Sequence, residues 1–189
     1  TRDFDKDLTT FNVKAPVFPF HKFPNVDPVL GPEMKSTGEV MGRSKNFAMA
    51  YHKALEGAGL KLPNKGKIFL SVRDEDKAET LSIAEQFSNL GFVIEATGGT
   101  AKFLNENGLV CQRINKVSDG SPHCVEALIK GDYALIINVA SDDDKALKDG
   151  YSIRRAALER KIPYSTVLSS AWAMLLAIEK NIKGGPIEI

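Results

Sequence analysis

Five short apolar runs limit what this chain can fold into more than any other feature: KIFLSV (67–72), FVIEAT (92–97), LVCQRI (109–114), YALIINV (133–139) and PYSTVL (163–168). None alternates strictly between apolar and polar residues, so each suits a strand covered on both faces. Between them lie patterns of helical period. Asp76 to Leu90 places Ala78, Leu81, Ala84, Phe87 and Leu90 at near-helical spacing and stops at Gly91. Further helices are expected at Thr100–Asn107, His123–Lys130, Ile153–Arg160 and Ser169–Ile182. Strands alternating with helices over short links predict an α/β fold, a parallel sheet of about five strands with helices on both faces.

The first 42 or so residues have a different texture, with Pro16, Pro19, Pro24, Pro28 and Pro32 among apolar residues. Proline fixes φ and removes a donor, so this arm cannot be helical and makes at best an edge strand followed by turns. A helix follows, with Ser44 as the expected N-cap, Phe47, Tyr51, Ala54 and Leu55 on one face, and Gly57 and Gly59 as its stop. KLPNKG, residues 61–66, reads as a linker. At 189 residues and 43% apolar composition, the chain suits one domain with an appendage or two small domains. A net charge of +1 supplies no field for nucleic acid or a membrane surface. No run approaches the roughly twenty apolar residues of a membrane span. The acidic start TRDFDKDL is not a signal peptide, and the absence of an initiator Met is expected of a piece of a longer chain. Cys111 and Cys124 form no CxxC pair and read as buried thiols.

Ligands of parallel sheets gather beyond the carboxyl ends of the strands. There the first strand supplies Ser71, Arg73 and Lys77, the second the ATGGT turn, the third Asn115 and Lys116, and the fourth Asn138 and Ser141. Gly98 and Gly99 allow close backbone approach, while Thr97 and Thr100 add hydroxyls and Lys77 and Lys116 countercharge. TGGT alone is also an ordinary strand-to-helix turn, but three strand ends with matching polar groups point to a phosphate or carboxylate. Acid–base catalysis has little support. His21 and His52 read as surface or packing residues, and His123 has no visible carboxylate or serine partner. No metal-ligand spacing occurs, Asp142 to Asp144 read as a solvated acidic turn, and Arg154–Arg155 as a structural pair.

One long stretch and a series of short motifs carry a family resemblance. HKFPNVDPVLGPEMKSTGEVMG (21–42) resembles the close of the second ATP-grasp half of carbamoyl-phosphate synthase large chains. SVRDEDK, ATGGT, INKVSDGSPH, YALIINVAS and YSIRRAAL fall in the order seen in that family's C-terminal methylglyoxal-synthase-like regulatory domain. The resemblance implies residues 1–59 as the tail of the ATP-grasp domain with a connecting helix, and 60–189 as the allosteric domain. It implies a nucleotide monophosphate site, with uridine monophosphate inhibiting and inosine monophosphate activating in bacterial members. Lys77, Thr97, Gly99, Thr100, Lys116 and Asn138 match phosphate or ribose contacts, and Ser71 occupies the matching first-strand position. It further implies a cytoplasmic parent enzyme that uses ATP with Mg or Mn, and works with a glutamine amidotransferase small chain. That enzyme makes carbamoyl phosphate from glutamine, bicarbonate and ATP for pyrimidine and arginine synthesis. The fragment itself is expected to need no cofactor or metal and to have no ligase activity.

The departures from the family pattern matter as well. Ala140 replaces a threonine of the enterobacterial type, and the acidic run after it replaces basic residues, which weakens nucleotide affinity. Thr166 matches one contact of an ornithine site, but Ala15 stands where that site has a glutamate. The alternative is a methylglyoxal-synthase-like lyase acting on dihydroxyacetone phosphate. Against it, Arg73 replaces the catalytic histidine, and Ser121 to His123 replace a loop containing the aspartate.

Overall fold

The computed structural model describes residues 9–19, 34–141 and 144–184. Residues 21–33 of the long N-terminal motif, with His21, Pro24, Pro28 and Pro32, lie outside the described residues, as do Asp142 and Asp143.

Two strands, β1 (Phe11–Val17) and β2 (Gly38–Ser44), pair antiparallel, with Pro16 opposite Glu39. A two-stranded ribbon is where a proline is tolerated, because both strands are edges. Helix α1 (Phe47–Gly57) lies against this ribbon at Gly42, where an added Cβ would stand 2.0 Å from the Ala50 carbonyl oxygen. The cap of α1 is Asn46, whose Oδ1 accepts from Met49 N–H at 3.2 Å, in place of the expected Ser44. Ser44 instead accepts the Asn46 N–H, ordering the approach to the helix.

The main sheet holds β3 (Lys67–Val72), β4 (Val93–Thr97), β5 (Gln112–Ile114), β6 (Leu135–Val139) and β7 (Tyr164–Ser165), all parallel, in the order β5-β4-β3-β6-β7. Chain order runs outward from β3 to β5 and then returns to β6 on the other side of β3. The order in which strands are added therefore reverses between β3 and β6, and a crevice opens there beyond their carboxyl ends. Burial explains the continuous apolar runs. Ile68, Leu70, Leu135 and Ile137 enter one core with Ile83 and Phe87 of α2 (Lys77–Asn89), Leu104 of α3 (Gly98–Glu106) and Leu175 of α6 (Leu168–Gly184). Phe69 and Ile136 point the other way, onto Leu128 of α4 (Cys124–Lys130) and Ile153 of α5 (Asp144–Glu159). Helices on both faces are what the pattern predicts.

One buried ionic group interrupts the sheet. Glu95, 7% exposed, accepts from Lys67 Nζ at 3.0 Å and from the Tyr133 hydroxyl. Burial, together with the hydrogen bond to Glu95, raises the Tyr133 pKa. A buried carboxylate held by two donors is satisfied, and its partners hold the opening residues of β3 beside β4.

Several boundaries differ from the sequence expectation, among them β5, which holds only the last three residues of LVCQRI. Helix α5 begins at Asp144, nine residues before Ile153, because its first two turns are polar and nearly all of its buried residues lie from Asp149 onward. Helix α3 begins at Gly98, so both glycines are its first turn. Strand β7 has only two residues, the remainder of PYSTVL turning into α6.

Candidate functional site

The crevice between β3 and β6 contains Ser71 at the end of β3, and Asn138 and Ala140 around the end of β6. Asp149 and Gly150 of α5 and Lys116 close it into a small cavity of ≈ 40 Å³. Asn138 is 4% exposed, and its amide nitrogen Nδ2 has no hydrogen-bond partner among the described residues. Leaving a buried donor unmade costs about 1–3 kcal/mol. A side chain held that way beyond a strand end is an invitation to an acceptor supplied from outside.

Adjoining it is a wider cleft of ≈ 620 Å³, lined by Gly98, Gly99, Lys102, Arg113, Lys116 and Lys145 among others, which shares Lys116 and Asp149 with the small cavity. The glycines matter here through size, because neither has a positive φ. A Cβ on Gly98 would lie 3.4 Å from Arg113 Nε, and one on Gly99 3.4 Å from Lys77 Nζ. Two cations thus flank the first turn of α3, whose free backbone N–H groups carry the positive end of the helix dipole. In the wide cleft Lys102, Arg113, Lys116 and Lys145 face Asp119 and Asp149. Lys102 also pairs with Glu106 at 3.8 Å, so a small excess of positive charge remains, which suits an anionic ligand such as a phosphate.

The predicted residues divide by role. Ser71, Lys116 and Asn138 line the small cavity, Gly99 and Lys116 the wide one, and Lys77 reaches the Gly99 position. Thr97 and Thr100, each 2% exposed, face β3 instead. Thr97 donates to Ser71 Oγ at 3.2 Å, and Thr100 Oγ1 accepts from the Val72 N–H and donates to its carbonyl. The Thr100 hydroxyl fastens α3 to the sheet, and that of Thr97 ties the end of β4 to β3. Lys77 Nζ lies 2.7 Å from Asp74, and that hydrogen bond, with the nearby charges of Lys77 and Lys116, holds the Asp74 carboxyl below its usual range.

The structure also fills the roles of neighbouring groups. Arg73 pairs with Asp76 at 2.6 Å and Glu75 at 3.2 Å. His123 caps α4, its Nδ1 accepting from Glu126 N–H at 3.3 Å. Both cysteines are buried, and desolvation pushes the Cys111 thiol up to about 11 and Cys124 to about 12. Among the described residues, no group of three or more His, Cys, Asp or Glu side chains is placed to hold a metal. No helix among them is long and apolar enough to cross a membrane.

Thr166 and Ala15 both line a separate cavity of ≈ 370 Å³, with Pro16, Tyr51, Leu55, Tyr164 and Met174 among others. No charged side chain lines it among the described residues. Sequence reading missed Lys102, Arg113, Lys145 and Asp149. Arg113 was legible as a cation one residue before the carboxyl end of a strand; Lys145 and Asp149 were hidden by the late start assigned to α5.

This sheet order and strand-edge cleft define the class. Residues 79–166 match the family model of the MGS-like domain. Relatives place the chain further. It is 49% identical over 178 residues to the carbamoyl phosphate synthase large chain, C-terminal section, of Aquifex aeolicus, covering 94% of this chain and 33% of that one. It is 48% identical over 175 residues to the corresponding section from Methanopyrus kandleri (93% and 32% covered). Against the large chain of Rhizobium meliloti, identity is 47% over 184 residues (97% and 16% covered). The chain thus resembles the C-terminal part of carbamoyl phosphate synthase large chains over nearly its whole length and contains an MGS-like domain. It spans about a third of the C-terminal sections that it matches.

Proposed function

We propose that this chain is the allosteric module of a carbamoyl phosphate synthase large chain, and that its strand-edge cleft binds a nucleotide monophosphate. The observation that carries this is the buried Asn138 amide nitrogen, without a partner among the described residues, set beside a cleft whose lining holds more cations than carboxylates. A phosphate accepts from Asn138, from the first turn of α3 and from Lys77 and Lys116, with Arg113 on its far side. Residues 1–59 read as the closing segment of the catalytic half, and 60–189 as the sensor. The parent enzyme would be a cytoplasmic ligase forming carbamoyl phosphate from glutamine, bicarbonate and ATP, with Mg or Mn and a glutamine amidotransferase small chain.

Regulation requires the nucleotide to bind two states of the parent enzyme unequally, typically by about 1–3 kcal/mol. Helix α1 is the physical route, because it packs on both the β1–β2 ribbon and α6 of the sensor. Titration calorimetry with uridine and inosine monophosphates tests the site. Binding is expected to weaken severalfold or more in Lys77→Ala, and an unchanged dissociation constant would remove Lys77 from it. The lyase alternative needs a free acid–base pair, whereas Arg73 and His123 are committed to carboxylates. Methylglyoxal formed from dihydroxyacetone phosphate by the purified chain, and lost in Asn138→Leu, would replace the sensor reading.

A further inference from the structure

Lys77, assigned above to the phosphate, already has an anion. Its side chain is 16% exposed, and its ammonium lies 3.4 Å from where a Cβ on Gly99 would stand, at the first turn of α3. The carboxylate that meets it is the reverse: Asp74 has a side chain 92% exposed and reaches Nζ at 2.7 Å. The hydrogen bond from Lys77 is the main cause of the lowered Asp74 pKa, and the charge of Lys116 adds to it. Asp74 therefore holds its negative charge in the field of the two lysines that a phosphate would use. Its neighbours are held separately. Asp74 opens the 3-10 turn Asp74–Asp76 that leads into α2, and Arg73 binds Glu75 at 3.2 Å and Asp76 at 2.6 Å. Parting Asp74 from Lys77 thus leaves the turn anchored.

We infer that Asp74 is a built-in competitor of the ligand: its carboxylate holds Lys77 until a phosphate displaces it, and so sets the affinity of the cleft. This rests on the phosphate site proposed above. A ligand that needs Lys77 free binds more weakly in proportion to the time that Lys77 is taken. An exposed ion pair outweighs its open form by a factor of roughly one to five, so losing the carboxylate tightens binding by about two- to sixfold. Plain repulsion between a nearby carboxylate and a phosphate has the same sign, and Glu75 separates the two effects. It lies on the same turn, is 78% exposed, and pairs with Arg73 instead of Lys77.

The test is titration calorimetry of the whole chain with orthophosphate and with uridine monophosphate, on wild type, Asp74→Asn and Glu75→Gln at one salt concentration. Melting curves of the variants confirm that they are folded. Asp74→Asn should tighten each ligand that wild type binds by about two- to sixfold, and Glu75→Gln should stay close to wild type. Unchanged or weaker binding in Asp74→Asn would overturn the competitor role and leave the phosphate site standing. An equal gain in Glu75→Gln would reduce the effect to general repulsion, and the inference falls. If neither ligand binds wild type or Asp74→Asn, the phosphate site itself fails, and this reading with it.

Discussion

Replacing Asn138 with leucine should make the unliganded protein more stable and abolish nucleotide binding. The substitution keeps the number and branching of side-chain heavy atoms at a position that is 4% exposed, and its added bulk adjoins the small cavity. It removes an amide nitrogen that has no partner among the described residues. A buried donor without a partner costs about 1–3 kcal/mol, and an apolar replacement of similar shape recovers part of that. We expect a gain of about 1–2 kcal/mol. For a chain of this length each kcal/mol moves the melting temperature by about 2–4 °C, so the rise should be roughly 2–8 °C. Thermal unfolding followed by circular dichroism reads the stability, and calorimetry of the same sample reads the loss of binding. The reasoning depends on Asn138 being kept for a ligand at the expense of the empty fold. A melting temperature that falls by a comparable amount would refute it, because the amide would then be supporting the native state.

Three further outcomes follow from the packing and the titratable groups. Gly42→Ala would place a methyl group 2.0 Å from the Ala50 carbonyl oxygen and 2.5 Å from the Ala54 nitrogen. Backbone cannot yield there as a side chain does, so α1 should separate from the ribbon at a cost of about 3 kcal/mol or more, visible as faster proteolysis of the first 60 or so residues. Burial lowers the pKa of His52 below 6.5, only partly offset by Glu56 3.7 Å away. The unfolded chain therefore binds the proton first, and stability should decline as pH falls from 6.5 through the lowered value, a slope absent from His52→Phe. With thiols pushed up to about 11 and 12, Cys111 and Cys124 should resist a thiol reagent at pH 8 and react fully in denaturant.

Strand existence was legible because burial on both faces writes itself into sequence as unbroken apolar runs such as LIINV, all five residues of which are buried. Strand order was not, since pairing partners such as Ile68 and Leu135 are far apart in the chain and carry no local signal. The start of α5 was lost for a physical reason. Its opening DKALKD projects into water or the cleft, and Gly150 looks like a breaker. The structure gives that glycine its purpose, because an added Cβ would meet Arg154 at 3.0 Å and Asn138 at 3.2 Å. At the site, Lys116 lines both cavities, where its place just past a strand end suggested it would lie. The hydroxyls of Thr97 and Thr100 were read as ligand groups from the strand-end TGGT turn and the family resemblance, whereas in the structure both bond to β3. The acidic run is partly outside the described residues, and of its members only Asp144 is placed, exposed at the start of α5.

The central claim is that a phosphate ester is what this cleft reads. Its most direct test compares uridine and inosine monophosphates with their unphosphorylated nucleosides by thermal shift and calorimetry on the same preparation. Ligand at a hundred times its dissociation constant stabilises by about 2.7 kcal/mol, which here means a rise of roughly 5–11 °C. The account predicts that rise for at least one monophosphate, a one-to-one isotherm, and no response to the nucleosides. Equal responses to nucleotide and nucleoside, or no heat and no shift with either monophosphate, would contradict it.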